Sequence, residues 1–430
     1  MKRRLLDWIL CPRCGERPRL SVFTEERVAL PASVAAPACN FYCARHDVPR
    51  PGDIEPPPDC DACFRDEILA GALSCTCGGL YPILDGIPRL SPNAATEYAG
   101  FLAQHGLGTA PAQRTPKRPK TPEEKPTPAV VGAADLDRRS DRSFRLQWKI
   151  YRDGDLTWFK EDAGLRKREF LYNLDVTAQE LSGKTLLDAG CGNGELTRSV
   201  AEYGLEVVAM DFSRSVEGAR RRLCEQGFPV SHRVHSLQGA VFAPPLLPAS
   251  FDLVHSSGVL HHTPSTYRAL RSVALEPKPG GKLYVQLYRR REAWVNAVNV
   301  TLRAVTTRLP MRLLYGLCYA ASPVHAALSR LVHRLRGEAP PPRSTARERA
   351  VQMFDNYSPR YQYRHTVPEI VHLFESVGYE DVRDVTLPNE ARHMLAVLGR
   401  RAEPGTAAVR RRPAPAGVSD TNRHTSTAPS

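Results

Sequence analysis

A glycine-rich turn between an apolar run and a helical pattern limits the fold of this chain more than any other feature. The run KTLLDAG passes through Asp188, and Gly190, Gly192 and Gly194 follow it closely. Glycine reaches positive φ without steric cost and lets a ligand approach the backbone. A strand that turns this tightly into a helix predicts the first unit of a parallel α/β sheet, with a ligand site at the turn.

Further short apolar runs alternate with helical patterns along the chain. EVVAMD, SFDLVHSS and GKLYVQLY are apolar on both faces, as buried parallel strands are, and they predict βαβ units. The run EVVAMD ends at Asp211, about 20 residues beyond the glycine turn, where a carboxylate can hold ribose hydroxyls. NAD enzymes use the same arrangement, so these two motifs alone leave the nucleotide open.

Four motifs in order resemble those of class I S-adenosylmethionine-dependent methyltransferases: DAGCGNG, VVAMDFS, SFDLVHSSGVLHH and KPGGKLYV. The resemblance covers roughly residues 140–400. It implies an α/β fold with a Rossmann-like seven-stranded sheet, and an enzyme that uses S-adenosyl-L-methionine as its cofactor. The cofactor-binding residues that it implies are Asp188, Gly190, Cys191, Gly192, Gly194, Asp211, Phe212, Ala240, Val241 and Ser256.

Within that set the resemblance implies separate roles. Asp188 and the glycine loop would cradle the methionine portion, Asp211 would bind the ribose, and Phe212 would pack on the adenine. Members of the family commonly carry Asp after the third strand as an acceptor for the adenine amino group, but this chain has Ala240 there. Either the affinity for the cofactor is lower, or another group supplies the acceptor. A non-enzymatic scaffold with a degenerate pocket is the third alternative.

Cysteine is concentrated at the N-terminus, where eight of the 11 residues precede position 80. Cys11 and Cys14 (CPRC) and Cys75 and Cys77 (CTC) have the form of two zinc knuckles, and four thiolates are a typical structural Zn²⁺ site. The flanks, LLDWILCPRC and LSCTCGGLYPILDGIPRL, resemble the small zinc-ribbon proteins that bind and activate tRNA and protein methyltransferases.

An insertion between the knuckles carries further cysteines and His46. We predict a second zinc site there, and the alternative is that these are unligated thiols in a Pro-rich loop. The chain would then hold one or two structural zinc ions. The predicted ligands of the second site are Cys39, Cys43, Cys60 and Cys63.

Shifts in composition predict four segments. Residues 1–95 form the zinc-ribbon domain with its Cys-rich insertion, and 104–134 form a disordered linker rich in Pro and Lys. Residues 135–400 form the methyltransferase domain, with a helical lid insertion at 289–366, and 401–430 form a disordered tail. No apolar run approaches the roughly 20 residues that span a bilayer, and the N-terminal stretch is too polar for a signal peptide, which predicts a cytoplasmic protein.

The loop SSGVLHHTP after the fourth predicted strand would face the transferred methyl group. It carries His261 and His262, the candidate catalytic residues. A neutral imidazole can remove a proton from an acceptor. The alternatives are that the pair only caps the next helix, or that positioning suffices without a base.

Two segments resemble lids over the cofactor. The first is SFRLQWKIY, which carries Phe144 and Trp148, and the second is the insertion at 289–366. The alternative is that the insertion is a packed cap with solvated arginines, or a basic amphipathic helix that lies on anionic lipid. The predicted substrate-binding residues are Trp148, Tyr357, Arg360 and His365, and the neighbouring Tyr361 is a further side chain that could bind an acceptor.

The formal net charge of +13 is compatible with an anionic partner, although solvated basic tails explain it as well. The resemblance favours a small-molecule acceptor in bacterial secondary or cell-envelope metabolism. The alternative is an rRNA or tRNA methyltransferase whose ribbon grips RNA, which the frequent Asp and Glu of the ribbon disfavour.

Overall fold

The computed structural model describes residues 1–30, 34, 36–49, 60–108, 138–152, 163–225, 231–337, 339 and 344–404. Most of the predicted linker at 104–134 and of the predicted tail at 401–430 lies outside these ranges. The predicted disorder of those two segments therefore stays a prediction.

The chain has thirteen strands and twelve α-helices in the described ranges. The strands are β1 (Arg19–Arg27), β2 (Tyr42–Cys43), β3 (Val48–Pro49), β4 (Asp66–Ser74), β5 (Leu80–Leu84), β6 (Ile87–Pro88), β7 (Thr185–Ala189), β8 (Glu206–Asp211), β9 (Val234–Gln238), β10 (Phe251–Ser257), β11 (Pro277–Tyr288), β12 (Tyr379–Asp384) and β13 (Met394–Arg401). The helices are α1 (Cys60–Arg65), α2 (Ala94–Glu97), α3 (Ala99–Gln104), α4 (Arg138–Arg152), α5 (Ala163–Leu174), α6 (Glu195–Ala201), α7 (Ser215–Glu225), α8 (Thr266–Val273), α9 (Ala293–Thr306), α10 (Met311–Leu335), α11 (Ala346–Tyr357) and α12 (Val367–Ser376).

A seven-stranded sheet forms the centre of the larger domain, with the order β12-β13-β11-β10-β7-β8-β9. The five strands from β7 to β11 run parallel to one another, and β13 is antiparallel to both β11 and β12. Every residue of β7, β8 and β9 is buried, which explains why β7 and β8 are mostly apolar on both faces. The predicted α/β fold with a seven-stranded sheet is confirmed.

The N-terminal module, residues 1–108, contains a four-stranded antiparallel sheet with the order β1-β4-β5-β6. This module packs along the β9 edge of the larger sheet. Arg89 forms a parallel bridge with Gln238 of β9, and the Leu90 N–H donates to the Gln238 carbonyl at 2.9 Å. Trp8 stacks on Phe251 of β10, with ring centroids 6.0 Å apart. The module therefore covers an otherwise open sheet edge, and its core is continuous with that of the larger domain.

A buried ion-pair network joins the N-terminal module to β8. The Arg4 guanidinium donates two bonds of 3.0 Å to the Glu206 carboxylate and one of 2.7 Å to Asp7. His235 of β9 lies 3.0 Å from Glu206 Oε1. Burial raises the pKa of Glu206, but the His235 bond and the Arg4 charge outweigh it and lower the pKa to about 2. The carboxylate therefore stays ionised in the interior.

The predicted lid insertion follows β11 and contains α9, α10 and α11. One face of α10 packs on α11 and α4 through Leu314 and Cys318, which contact Phe354. Ser143 of α4 and Ser358 share a hydrogen bond of 2.5 Å, so the two predicted lid segments are in contact. None of the helices in the described ranges combines the length and apolar character that crossing a bilayer requires.

Candidate functional site

A cleft opens at the carboxyl ends of β7, β8 and β10. Its walls come from the glycine loop, the ends of β8 and β10, the segment after β9, and α4. The predicted site residues that line it are Trp148, Gly190, Gly192, Asp211, Phe212, Ala240, Val241 and His262. The structure thus brings most of the predicted cofactor residues together.

The carboxylate of Asp211 is held in place by three donors. Its Oδ2 accepts the Gly192 N–H at 2.9 Å, and its Oδ1 accepts the N–H and the hydroxyl of Ser213 at 2.8 and 2.7 Å. Burial raises the pKa of Asp211, although these bonds counteract the shift. A carboxylate has about four lone-pair sites, so Oδ2 can still accept a hydrogen bond from the hydroxyl of a ligand bound in the cleft.

Two glycines of the loop leave no room for a side chain. Gly190 and Gly192 have φ values of 96° and 54°. A Cβ on Gly190 would lie 2.2 Å from Val259 Cγ2, and one on Gly192 would lie 2.4 Å from Trp148 Cζ2. Trp148 of α4 therefore lies directly over the loop, where the first predicted lid was expected.

Four predicted cofactor residues lie outside the lining of the cleft. Asp188 Oδ2 accepts the Thr197 hydroxyl at 2.6 Å, and the Ser256 hydroxyl donates to the Ala189 carbonyl at 2.9 Å. The other two are Cys191, which is buried, and Gly194, which faces Ala219 of α7. In this structure all four support the loop, and their predicted contacts with the cofactor stay predictions.

Aromatic side chains form the apolar wall of the cleft. The ring of Phe144 lies edge-on to Phe212 at 6.4 Å between centroids and to His262 at 5.3 Å. Phe144 was predicted only as part of a lid. Its spacing of four residues from Trp148 on one helix is the sequence signal that places both aromatics on the cleft side of α4.

His262 lines the cleft, whereas His261 does not. His262 Nδ1 lies 3.0 Å from the carbonyl of Tyr361, which can only accept, so Nδ1 carries the proton and Nε2 keeps its lone pair. Burial is the main cause that lowers the pKa of His262, so the ring is neutral at pH 7. His261 is fully buried, with its ring 4.1 Å from that of Tyr288. Its position gives the predicted catalytic role of His261 no support.

Three predicted substrate residues of the insertion lie outside the cleft lining, whereas Tyr361 of the same predicted acceptor-binding segment forms part of it. His365 is buried and its Nε2 lies 3.0 Å from the Thr266 hydroxyl, so it joins the insertion to α8. The guanidinium of Arg303 donates to the carbonyls of Asn356 and Pro359, which fixes the segment that leads to Tyr361. The lining excludes Tyr357, Arg360 and His365.

A second, more open cleft adjoins Ala240, the position where the expected adenine acceptor is missing. The N-terminal module contributes Asn93 and Glu97 to it, and α4 contributes Asp141. Burial raises the pKa of Asp141, although its ion pair with Arg145 counteracts the shift. Acceptor groups from two other parts of the chain therefore lie beside the position where the family pattern places Asp.

Four cysteines of the N-terminal module come together as predicted. The sulfurs of Cys11, Cys14, Cys75 and Cys77 all lie within 4.8 Å of one another. Four thiolates in one group are the donor set of a closed, tetrahedral structural zinc site. The residues therefore fit a zinc ion, despite the CxC form of the second knuckle.

The second predicted group of cysteines is looser. Cys39, Cys43, Cys60 and Cys63 line one small cavity together with Arg4. Across the described residues, however, only the first group has its ligand atoms within 4.8 Å of one another. The second zinc site stays a prediction.

Comparison with known proteins agrees with this geometry. Residues 187–285, which run from β7 to β11, match the methyltransferase domain family. Over 118 residues the chain is 37% identical to the ubiquinone biosynthesis O-methyltransferase of Xanthomonas euvesicatoria pv. vesicatoria, covering 27% of this chain and 48% of that protein. The enzyme of the same name from Proteus mirabilis is 34% identical over 119 residues, which are 27% of this chain and 47% of that protein. The chain thus spans about half the length of these relatives.

Among solved structures, the 1,6-didemethyltoxoflavin-N1-methyltransferase of Burkholderia thailandensis is 18% identical. It covers 64% of this chain and 94% of its own, with a TM-score of 0.35, which is too low to carry a conclusion. The segment that forms the glycine loop and the strands beside it is therefore similar to the methyltransferase domain.

Proposed function

We propose that the protein transfers a methyl group from S-adenosyl-L-methionine to a small-molecule acceptor. The observation that carries this proposal is the meeting of Asp211, the glycine loop and Phe212 in one cleft at the carboxyl ends of parallel strands. That is where open α/β sheets bind nucleotides.

The residues of the cleft fit the cofactor by their chemistry. The free acceptor site on Asp211 suits a ribose hydroxyl, and the ring of Phe212 offers an apolar face to a nucleobase. Without a side chain at Gly190 or Gly192, the backbone can approach the amino-acid portion. We infer that Asp141 or Glu97 supplies the polar contact that Ala240 cannot make, because all three line the adjoining cleft.

The cofactor would supply an electrophilic methyl group on a sulfonium centre. The chain's own contribution begins with the wall of Phe144, Trp148 and Tyr361, which orients an acceptor and excludes water. The lone pair on His262 Nε2 can take a proton from an acceptor hydroxyl, because Nδ1 is committed to the Tyr361 carbonyl. His262 is therefore our candidate general base.

The acceptor class rests on two observations. The cleft is enclosed by aromatic and apolar side chains, which suits a modest organic molecule. The curated relatives are named as O-methyltransferases of ubiquinone biosynthesis, and so they act on small molecules. Secondary and cell-envelope metabolism remain our proposed settings, and no comparison supports the RNA alternative.

We propose that zinc has a structural role in this protein. Cys11 and Cys14 lie just after Trp8, and Cys75 and Cys77 lie between β4 and β5. A zinc ion on these four thiolates would join the segment that packs on the larger sheet to the module's own sheet. Because a site with four thiolates leaves no open coordination position, it offers no place for chemistry.

Calorimetry with S-adenosylhomocysteine tests the cofactor site directly. We expect Asp211→Asn to weaken binding about tenfold or more, since the amide nitrogen cannot accept the bonds that Oδ2 accepts. The matched control is Asp381→Asn, which changes an exposed carboxylate on β12. Equal dissociation constants for wild type and Asp211→Asn would remove the basis of the proposal. If Asp211→Asn weakens binding as expected, labelled methyl transfer from the wild type to extracts of small molecules identifies the acceptor class.

A further inference from the structure

The helix α9 carries an apolar stripe that no other part of the described chain covers. Trp294 and Val305 are 67% and 62% exposed, and Val298 and Leu302 lie between them on the same face. Their spacing of four, four and three residues places all four side chains on one side of the helix. Arg303, the buried residue of α9, points to the opposite side and bonds the loop before Tyr361.

The helix α10 carries a second exposed stripe beside its packing face. Its core contacts come from Leu314, Cys318 and Ser322, which recur every four residues. The exposed stripe also follows helical spacing over the whole length of the helix, so it is a continuous face. Its members are Leu313, Leu317, Val324, Leu328, Leu331 and Leu335.

The charge of this segment has one sign. Residues 293–337 contain six arginines and no Asp or Glu. Arg303 is committed internally, but Arg312, Arg330 and Arg334 are exposed on α10, and Arg308 is exposed in the turn between the two helices. At 100° per residue, Arg312, Arg330 and Arg334 fall together along one flank of the α10 stripe. The exposed apolar face of α10 therefore has a purely cationic border.

We propose that the segment formed by α9 and α10 binds the surface of an anionic lipid bilayer. The leucine and valine stripes would enter the boundary between headgroups and acyl chains, and the arginines would contact lipid phosphates. A second copy of the chain fits this face less well, because it would set the cationic flank against an identical one without any acidic partner. This proposal does not depend on the proposed methyltransferase activity.

The segment formed by α9 and α10 is also connected to the cleft. Thr306 of α9 donates to the carbonyl of Tyr357 at 3.0 Å, and Arg303 bonds the carbonyls that follow. The same short segment ends at Tyr361, which lines the cleft. Lipid binding by α9 and α10 would therefore anchor the loop that forms one wall of the candidate active site.

Co-sedimentation of the full chain with vesicles tests the proposal. We expect binding to vesicles of phosphatidylcholine with phosphatidylglycerol, and about tenfold or more weaker binding to phosphatidylcholine alone or at high salt. The triple variant Leu317→Ser, Leu328→Ser, Leu331→Ser should lose binding to both kinds of vesicle. The triple variant Arg312→Gln, Arg330→Gln, Arg334→Gln should lose only the preference for anionic lipid.

The control variant is Tyr172→Ser, which removes an exposed aromatic side chain on α5, outside α9 and α10. It should bind vesicles as the wild type does, and near-UV circular dichroism should show that all variants keep the native fold. Failure of the wild type to bind anionic vesicles, or full binding by the serine variant, overturns the proposal. A wild-type dimer that the serine variant dissociates, without any vesicle binding, would instead identify a second copy as the occupant.

Discussion

Replacing the buried Glu206 by glutamine should destabilise the protein far more than the same replacement of an exposed glutamate that also pairs with an arginine. Glu206 lies at the start of β8 and is 7% exposed at its side chain, where it accepts two bonds from Arg4 and one from His235. Glutamine keeps the size but removes the charge, which leaves the Arg4 guanidinium buried beside Asp7 only.

Two lines of reasoning give similar magnitudes. The pKa of Glu206 falls from its ordinary value of 4.5 to about 2, which corresponds to roughly 3–4 kcal/mol at about 1.4 kcal/mol per pKa unit. Removing one partner of a buried ion pair typically costs about 3–5 kcal/mol, because the other charge is left uncompensated. We therefore expect Glu206→Gln to lower the free energy of unfolding by about 3 kcal/mol.

The assay is urea denaturation of the full chain at pH 7, followed by circular dichroism and tryptophan fluorescence. The matched control is Glu25→Gln, which breaks an ion pair of 2.6 Å with Arg3 whose glutamate side chain is 43% exposed. Such pairs contribute at most about 1 kcal/mol. If both variants shift the midpoint equally, the buried network does not hold the N-terminal module on the sheet, and the reasoning is refuted.

The same variant gives a pH test with a defined sign. Because the pKa of Glu206 is lower in the folded state, its contribution is complete above the unfolded pKa of about 4.5 and is lost as the pH falls towards about 2. The stability difference between wild type and Glu206→Gln should shrink over that interval. A difference that stays constant down to pH 3 would contradict the charge-based explanation.

Three further predictions concern the cleft, the cysteine group and the module interface. Gly192→Ala should abolish binding of S-adenosylhomocysteine in calorimetry, because the new Cβ would meet the Trp148 ring at 2.4 Å and a positive φ is required there; unchanged affinity would show that the loop does not hold the cofactor. Cys75→Ser should lower the zinc content by one ion per chain in metal analysis, and an unchanged content would reject this ligand set. Trp8→Ala should cost about 3–5 kcal/mol in the free energy of unfolding, since the ring is fully buried against Phe251, and a change within about 1 kcal/mol would contradict tight docking of the module.

The sheet and the cofactor cleft were predictable because their signals are local. Strands buried on both faces are mostly apolar, and a loop with positive φ favours glycine, so KTLLDAG and the residues up to Gly194 carry both constraints in one stretch. The first cysteine group was predictable for a similar reason. Each knuckle brings two sulfurs close along the chain, and the structure only had to bring the two pairs together.

Side-chain direction in the irregular segments was not predictable. The sequence indicated that aromatic and basic residues after α11 contact the acceptor, but the bonds from Arg303 to the carbonyls of Asn356 and Pro359 set the course of that segment. As a result Tyr361 lines the cleft and Arg360 does not. No periodicity applies outside helices and strands, so the sequence carries no rule for which of two neighbours faces inward.

The sequence by itself therefore determined the α/β sheet, the glycine loop with Asp211, and the grouping of four cysteines. Only the tertiary structure decided that the N-terminal module closes the β9 edge, because that contact depends on Arg4 meeting Glu206 across 202 positions of the chain. Contacts over such distances leave no pattern in either local sequence. They arise only when the N-terminal module and the larger domain pack into a shared core.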